Sequence, residues 1–153
     1  MLPQLMSPAC AWAESQSQYI LDNGVPLSDK ELTVARSVGV RSPEAIRILY
    51  LDRVLRPTDP MLAEAVEQLH FLEPNTHGLT LGHGIFIRSD LIGDVQLAHE
   101  CRHVYQYEQH GSIRTYLEAY IPDLLMYDYW NSPLEVDARN AAARYLRNGL
   151  RLA

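Results

Sequence analysis

Cysteine is scarce in this chain of 153 residues: Cys10 and Cys101 lie far apart and neither belongs to a C-x-x-C pair. That excludes a disulfide framework and makes a reducing compartment, the cytoplasm, the expected location. Long hydrophobic runs are missing too, since none approaches the roughly 20 residues that a membrane span requires. Lys and Arg are scattered singly and the formal net charge is −6. There is no basic stripe for phosphates, so nucleic acid is not an expected partner. The N-terminal stretch ends in an A-x-A-like pattern at Ala11 and Ala13, but it lacks a basic leading region and is broken by Pro3 and Pro8. This argues against a cleaved export signal. No internal repeat or low-complexity linker interrupts the chain. With 47% hydrophobic and 21% charged residues, residues 1–153 are expected to form a single globular domain with its own core.

The periodicities predict helices and a few strands. Residues 9–23 favour helix, with Asn23-Gly24 as a left-handed stop. Ser28 and Glu31 form a capping box that starts a second helix, which turns Leu32, Ala35 and Val38 inward and ends at Gly39. Ser42-Pro43 opens at most one turn. Over 46–54 the pattern changes to alternation, with Ile46, Ile48 and Tyr50 on one side and Leu49 and Leu51 on the other, so a strand is expected. Asp59-Pro60 reads as N-cap and first residue of a crossover helix carrying Met61, Leu62, Ala65, Val66 and Leu69 towards Pro74. Residues 78–88 are extended, and Gly82-His83-Gly84 marks a turn, a bulge or a close backbone approach.

The most informative stretch is Leu97 to Val104, which contains H-E-x-x-H as His99, Glu100 and His103. Asp94 is the expected N-cap of its helix and Gly111 the terminator. Leu97, Cys101 and Val104 share an apolar face, while Gln96, His99, His103, Gln106 and His110 share a polar one. Residues i and i+4 stack on one helix face, so both imidazoles can reach one ion, with Glu100 beside them to handle a metal-bound water. This is the geometry of a zinc hydrolase.

A catalytic zinc ion takes three protein ligands and keeps one open position, so a third donor is needed. His110 lies seven residues from His103, about 10 Å along a helix, which is too far. The extended H-E-x-x-H-x-x-G-x-x-H pattern fails at Gln106 and Gln109. Cys101, two residues after His99, turns to the apolar side and reads as a small buried hydrophobe. After the motif helix, Ile113, Tyr116, Leu117, Tyr120 and Ile121 form a helical stripe up to Pro122. An aromatic segment ending at Trp130 follows, as a candidate wall of a cleft. A last helix begins at Ser132-Pro133 and runs towards Gly149.

H-E-x-x-H followed one helix later by Glu135, Val136, Asp137 and Ala138 resembles the E-x-x-A second helix of gluzincin-type zinc metallopeptidases. The chain is also similar to small bacterial zincin-like domains, in which a T-x-G-x-x-I strand precedes L-x-H-E-x-x-H-V-x-Q. Here those positions are Thr80, Gly82 and Ile85, then Leu97, His99, Glu100, His103, Val104 and Gln106. The resemblance covers residues 79–143. It implies an α+β, zincin-like fold, with a small sheet whose edge strand lies over the motif helix and with helices at the C-terminal end. It also implies Glu135 as third zinc ligand and Glu100 as the catalytic residue. One departure is Arg139, which stands where those families often carry an Asp that orients a ligand.

Glu135 has a second local reading, because Ser132-Pro133-Leu134-Glu135 is also a capping box. Asp137 and Glu118 are the reserve ligands. Tyr116, Tyr120, Tyr127 and Tyr129 are candidates for assisting at the reacting centre or for core and rim packing; His83 and Arg88 have no assigned role. The expected function is zinc-dependent hydrolysis of a peptide or protein substrate. The alternative is a catalytically silent zincin-fold module for metal binding or protein recognition.

Overall fold

The computed structural model describes residues 2–89 and 93–152 and is α+β. Among the described residues the order is α1 (Leu2–Asn23), β1 (Val25–Pro26), α2 (Asp29–Ser37), a 3-10 turn (Pro43–Ala45), β2 (Arg47–Leu51), α3 (Pro60–Gln68), β3 (Gly78–Leu81), β4 (Gly84–Arg88), α4 (Asp94–His110), α5 (Ile113–Asn131) and α6 (Pro133–Leu152). No helix among these residues is long and apolar enough to cross a membrane.

The strands form one mixed sheet in the order β1-β2-β4-β3. β2 and β4 are parallel, with Ile48 opposite Ile85, and α3 lies in the connection between them. β4 and β3 form an antiparallel hairpin closed by Gly82 and His83. Gly82 has φ +67, so the first turn residue takes a left-handed conformation that glycine adopts without strain. The hairpin leaves β3 at the sheet edge.

Alternation along the strands sends side chains to two different cores. Ile46, Ile48, Ile85 and Ile87 meet Val34, Ala35, Leu97, Ala98, Cys101 and Val104 in one cluster under α2, α4 and α6. Leu81 and Phe86 meet Ala13 and Ile20 of α1, with Leu49 and Leu51 packed against them. The same alternation on β3 puts Leu79 and Leu81 towards α1, and turns Gly78 and Thr80 towards α4.

Several boundaries differ from expectation for identifiable reasons. α1 begins at Leu2 and runs through Pro8; Leu5 and Ala9 are both buried, and their packing outweighs the one hydrogen bond that Pro8 cannot make. Gly24 is not left-handed. An added Cβ there would stand 2.7 Å from the Ile20 carbonyl oxygen and 2.9 Å from that of Ile48, so close approach of the last turn of α1 and of β2 is what requires glycine. The strand at 46–54 shortens to Arg47–Leu51, and α3 ends at Gln68, well before Pro74. Gly93 is the N-cap of α4, and Asp94 occupies the first turn. There it accepts from Lys30 Nζ at 3.0 Å and from Tyr145 Oη at 3.3 Å. α5 continues past Pro122 and kinks at Asp128, whose φ and ψ are 65° and 174°. α6 continues through Gly149.

The capping box behaves as the spacing predicts: Glu31 N–H donates to Ser28 Oγ at 3.2 Å, and Ser28 N–H donates to Glu31 Oε1 at 2.8 Å. Gly39 and Gly111 have φ of +104 and +85 and end their helices.

Candidate metal centre

The 3.6-residue period of α4 divides its side chains as the sequence requires. Leu97, Ala98, Cys101 and Val104 hold the helix on the sheet. On the opposite side the His99 and His103 rings meet edge to face, with centroids 5.0 Å apart. Glu135 arrives from the first turn of α6, which packs across α4. Its Oε2 lies 3.1 Å from His103 Nε2 and its Oε1 3.3 Å from His99 Nε2. One ligand atom from each of the three residues falls within 4.8 Å of the others.

Glu135 therefore does not act as a cap. Its carboxylate turns away from its own helix terminus, and Ser132 Oγ donates to the Tyr129 carbonyl at 3.4 Å. Tyr120 Oη donates to Glu135 Oε2 at 2.7 Å, which fixes one carboxylate oxygen. The other, Oε1, is buried, makes no well-formed hydrogen bond and faces His99 Nε2 at 3.3 Å. A buried carboxylate oxygen that lacks a well-formed hydrogen bond is costly. Next to two imidazole nitrogens, that oxygen completes an N/O donor set that could hold a metal ion.

Electrostatics couple these groups. Burial pushes His103 down, but the Glu135 carboxylate overrides it and raises the imidazole to about 9 in the metal-free chain. Burial pushes Glu135 up, and His103 reverses this and holds it well below the usual carboxylate range. Burial and the nearby Glu135 charge push the phenols of Tyr116 and Tyr120 well above their ordinary value. Both hydroxyls stay protonated and act as donors.

Glu100 stands beside this group, only 3% exposed. Thr80 Oγ1 donates to its Oε1 at 2.9 Å, and Gln96 Nε2 donates to its Oε2 at 2.8 Å. A Cβ on Gly78 would lie 3.1 Å from the Glu100 carboxylate, so glycine at this edge-strand position is what lets the side chain in.

A cleft of about 600 Å³ opens over the four residues. Its walls are largely apolar. They come from Leu5, Ala9 and Trp12 of α1, Leu62, Val66 and Leu69, residues 76–81, Tyr120 and Leu124 of α5, and Trp130. The aromatic segment thus contributes a wall, as expected. Phe71, which packs against Tyr120 and Tyr129 with centroids 6.1 Å away in each case, is flanked by His70 and Leu72, with φ of 51° and 56°. Arg139 stacks on Trp130 at 3.8 Å and donates to its carbonyl. It braces the rim and orients no imidazole.

The other candidates are engaged elsewhere. Glu118 pairs with Arg114 at 3.1 Å on the surface. Asp137 accepts from Arg102 and Gln106. His110 Nδ1 donates to the Gln106 carbonyl at 2.7 Å. Cys101 is fully buried, and burial holds its thiol far above the ordinary range. His83 pairs with Glu108 at 3.0 Å, and Arg88 Nη1 donates to the Pro74 carbonyl. Tyr127 is exposed, whereas Tyr116 Oη donates to Gln106 Oε1 at 3.4 Å and lies 3.3 Å from His103 Nδ1.

Sequence reasoning assigned no role to Thr80, Gln96 or Gln106 and left Tyr120 as one of four tyrosine candidates. Helical spacing carried a signal for two of them, since Gln96 is four residues before Glu100 and Gln106 three after His103. No local pattern joins Thr80 to Glu100 or Tyr120 to Glu135. Compared with family models, curated proteins and solved structures, the chain finds no match.

Proposed function

We propose that this chain is a zinc-dependent peptidase of zincin-like architecture, with His99, His103 and Glu135 as metal ligands and Glu100 as the catalytic residue. The observation that carries the reading is the convergence of three donor atoms, one of them a buried oxygen with no well-formed hydrogen bond, next to a carboxylate held by Thr80 and Gln96. A zinc ion supplies Lewis acidity, polarising a carbonyl and acidifying water.

The chain's own groups account for the remaining steps. Glu100 accepts the proton of the attacking water and returns it to the leaving amine nitrogen. Thr80 and Gln96 keep its carboxylate in place between the edge strand and the metal ligands. β3 offers an edge on which an extended peptide pairs through its main chain. Leu69, Phe71, Leu79 and Trp130 line space suited to apolar side chains of that peptide.

One observation favours the second reading, a silent recognition module: both Glu100 oxygens already accept hydrogen bonds and the side chain is buried. Glu100→Gln separates the two. In a peptidase, zinc content by elemental analysis stays at that of the wild type, while cleavage of an unstructured peptide library falls at least ~10²-fold. Cleavage that survives Glu100→Gln or a chelator overturns the assignment. If the wild type cleaves neither the library nor a protein captured by the Glu100→Gln variant, the recognition module stands.

A further inference from the structure

We infer that Gln106 is the positioning residue of this centre, locking His103 in the tautomer that leaves Nε2 free for a cation and tying the third donor, Glu135, to the same anchor. The inference rests on the metal-centre reading above.

It follows from which atoms can donate. Gln106 Nε2 lies 2.9 Å from the Leu134 carbonyl oxygen and 2.9 Å from Asp137 Oδ2. Both partners only accept, so the amide NH₂ must face them and the amide oxygen must face the other way. That oxygen, Oε1, is 2.8 Å from His103 Nδ1. Opposite a carbonyl oxygen, Nδ1 must carry the proton. Nε2, on the far side of the ring and 3.1 Å from Glu135 Oε2, is then the nitrogen a cation would take, displacing the proton that the metal-free imidazolium carries there.

The chain of contacts does not end at the amide. Arg102 holds Asp137 through Nε at 2.8 Å and Nη2 at 3.2 Å, and its Nη1 donates to the Val38 carbonyl at 2.8 Å. Leu134 and Asp137 flank Glu135 in the sequence, so the two contacts that orient the amide also pin the turn of α6 that delivers the third donor. Gln106 is 3% exposed, and water cannot replace these contacts freely. A Gln that only joined two helices would need no particular amide orientation and would have no effect on the His103 tautomer.

The test uses the full chain and zinc alone as probe. Competition titration against a chromogenic chelator is run on wild type and Gln106→Leu, with thermal melting of the metal-free proteins as the fold control. Long-range ¹⁵N–¹H spectra of the zinc-loaded wild type report which His103 nitrogen is protonated. The expected results are 10–100-fold weaker zinc binding in a folded Gln106→Leu, and a proton on Nδ1 in the wild type. An affinity within twofold of wild type in the folded variant overturns the inference, as does a wild-type His103 protonated on Nε2. If Gln106→Leu does not fold, the tautomer alone decides. A wild type that takes up no zinc overturns the metal centre itself and this inference with it, whereas uptake with unchanged affinity in the variant overturns this inference only.

Discussion

The hydroxyl of Thr80 lies 2.9 Å from the Glu100 carboxylate and 3.1 Å from the Glu100 carbonyl oxygen, joining the edge strand to the motif helix across a sequence separation of 20 residues. It has one hydrogen to share between two acceptors, both buried. The strand that would hold a peptide is thereby fixed to the residue that would move its protons.

Thr80→Val keeps the shape and removes the donor. Loss of a hydrogen bond to a charged, buried group should cost about 1.5–3 kcal/mol in stability. Zinc content should not change, because Thr80 touches no ligand. Denaturant melts with and without zinc check this; stability equal to wild type would mean that Gln96 alone satisfies the carboxylate.

Ser132→Ala and Glu135→Ala separate a cap from a ligand. The Ser132 hydroxyl makes one long bond, to the Tyr129 carbonyl, so its removal should cost no more than about 1 kcal/mol and leave zinc affinity unchanged. Glu135→Ala should abolish tight binding. Equal affinities in the two variants, measured by chelator competition, would remove Glu135 from the donor set.

Gly24 distinguishes steric approach from backbone conformation. Were a left-handed φ the requirement, Asn would be tolerated better than Ala. Contact with the Ile20 and Ile48 carbonyls instead predicts that Gly24→Asn is at least as damaging as Gly24→Ala, each losing about 1–3 kcal/mol. Thermal unfolding of both variants gives the answer.

Glu108 should give stability a pH dependence away from the metal group. Burial raises its carboxyl, but the Arg41 and Ser42 N–H groups and His83 donate to it and lower it overall. A depressed folded-state value means that the contribution is present above the unfolded value of about 4.3 and is lost as pH falls through the folded one. The stability difference between wild type and Glu108→Gln should be constant near neutrality and shrink as pH drops below about 4. A difference independent of pH down to acid unfolding would rule out the carboxylate as its source.

Where side-chain period and local chemistry agree, the sequence was sufficient. The face of α4 that carries His99 and His103 follows from 3.6 residues per turn, the start of α2 from reciprocal bonds within Ser28–Glu31, and the ends at Gly39 and Gly111 from glycine's access to positive φ. Gly24 was misread because its neighbours in sequence look like a helix stop, whereas the atoms that require it include the carbonyl of Ile48 on another strand. Glu135 stayed open for a related reason. Its own segment satisfies a capping box, and only the packing of α6 across α4, with Tyr120 donating from α5, turns the carboxylate towards the imidazoles. Local pattern determined which helix faces and turns exist. Tertiary packing decided which distant donors and acceptors meet, because a buried polar atom must find its partner wherever the fold places one.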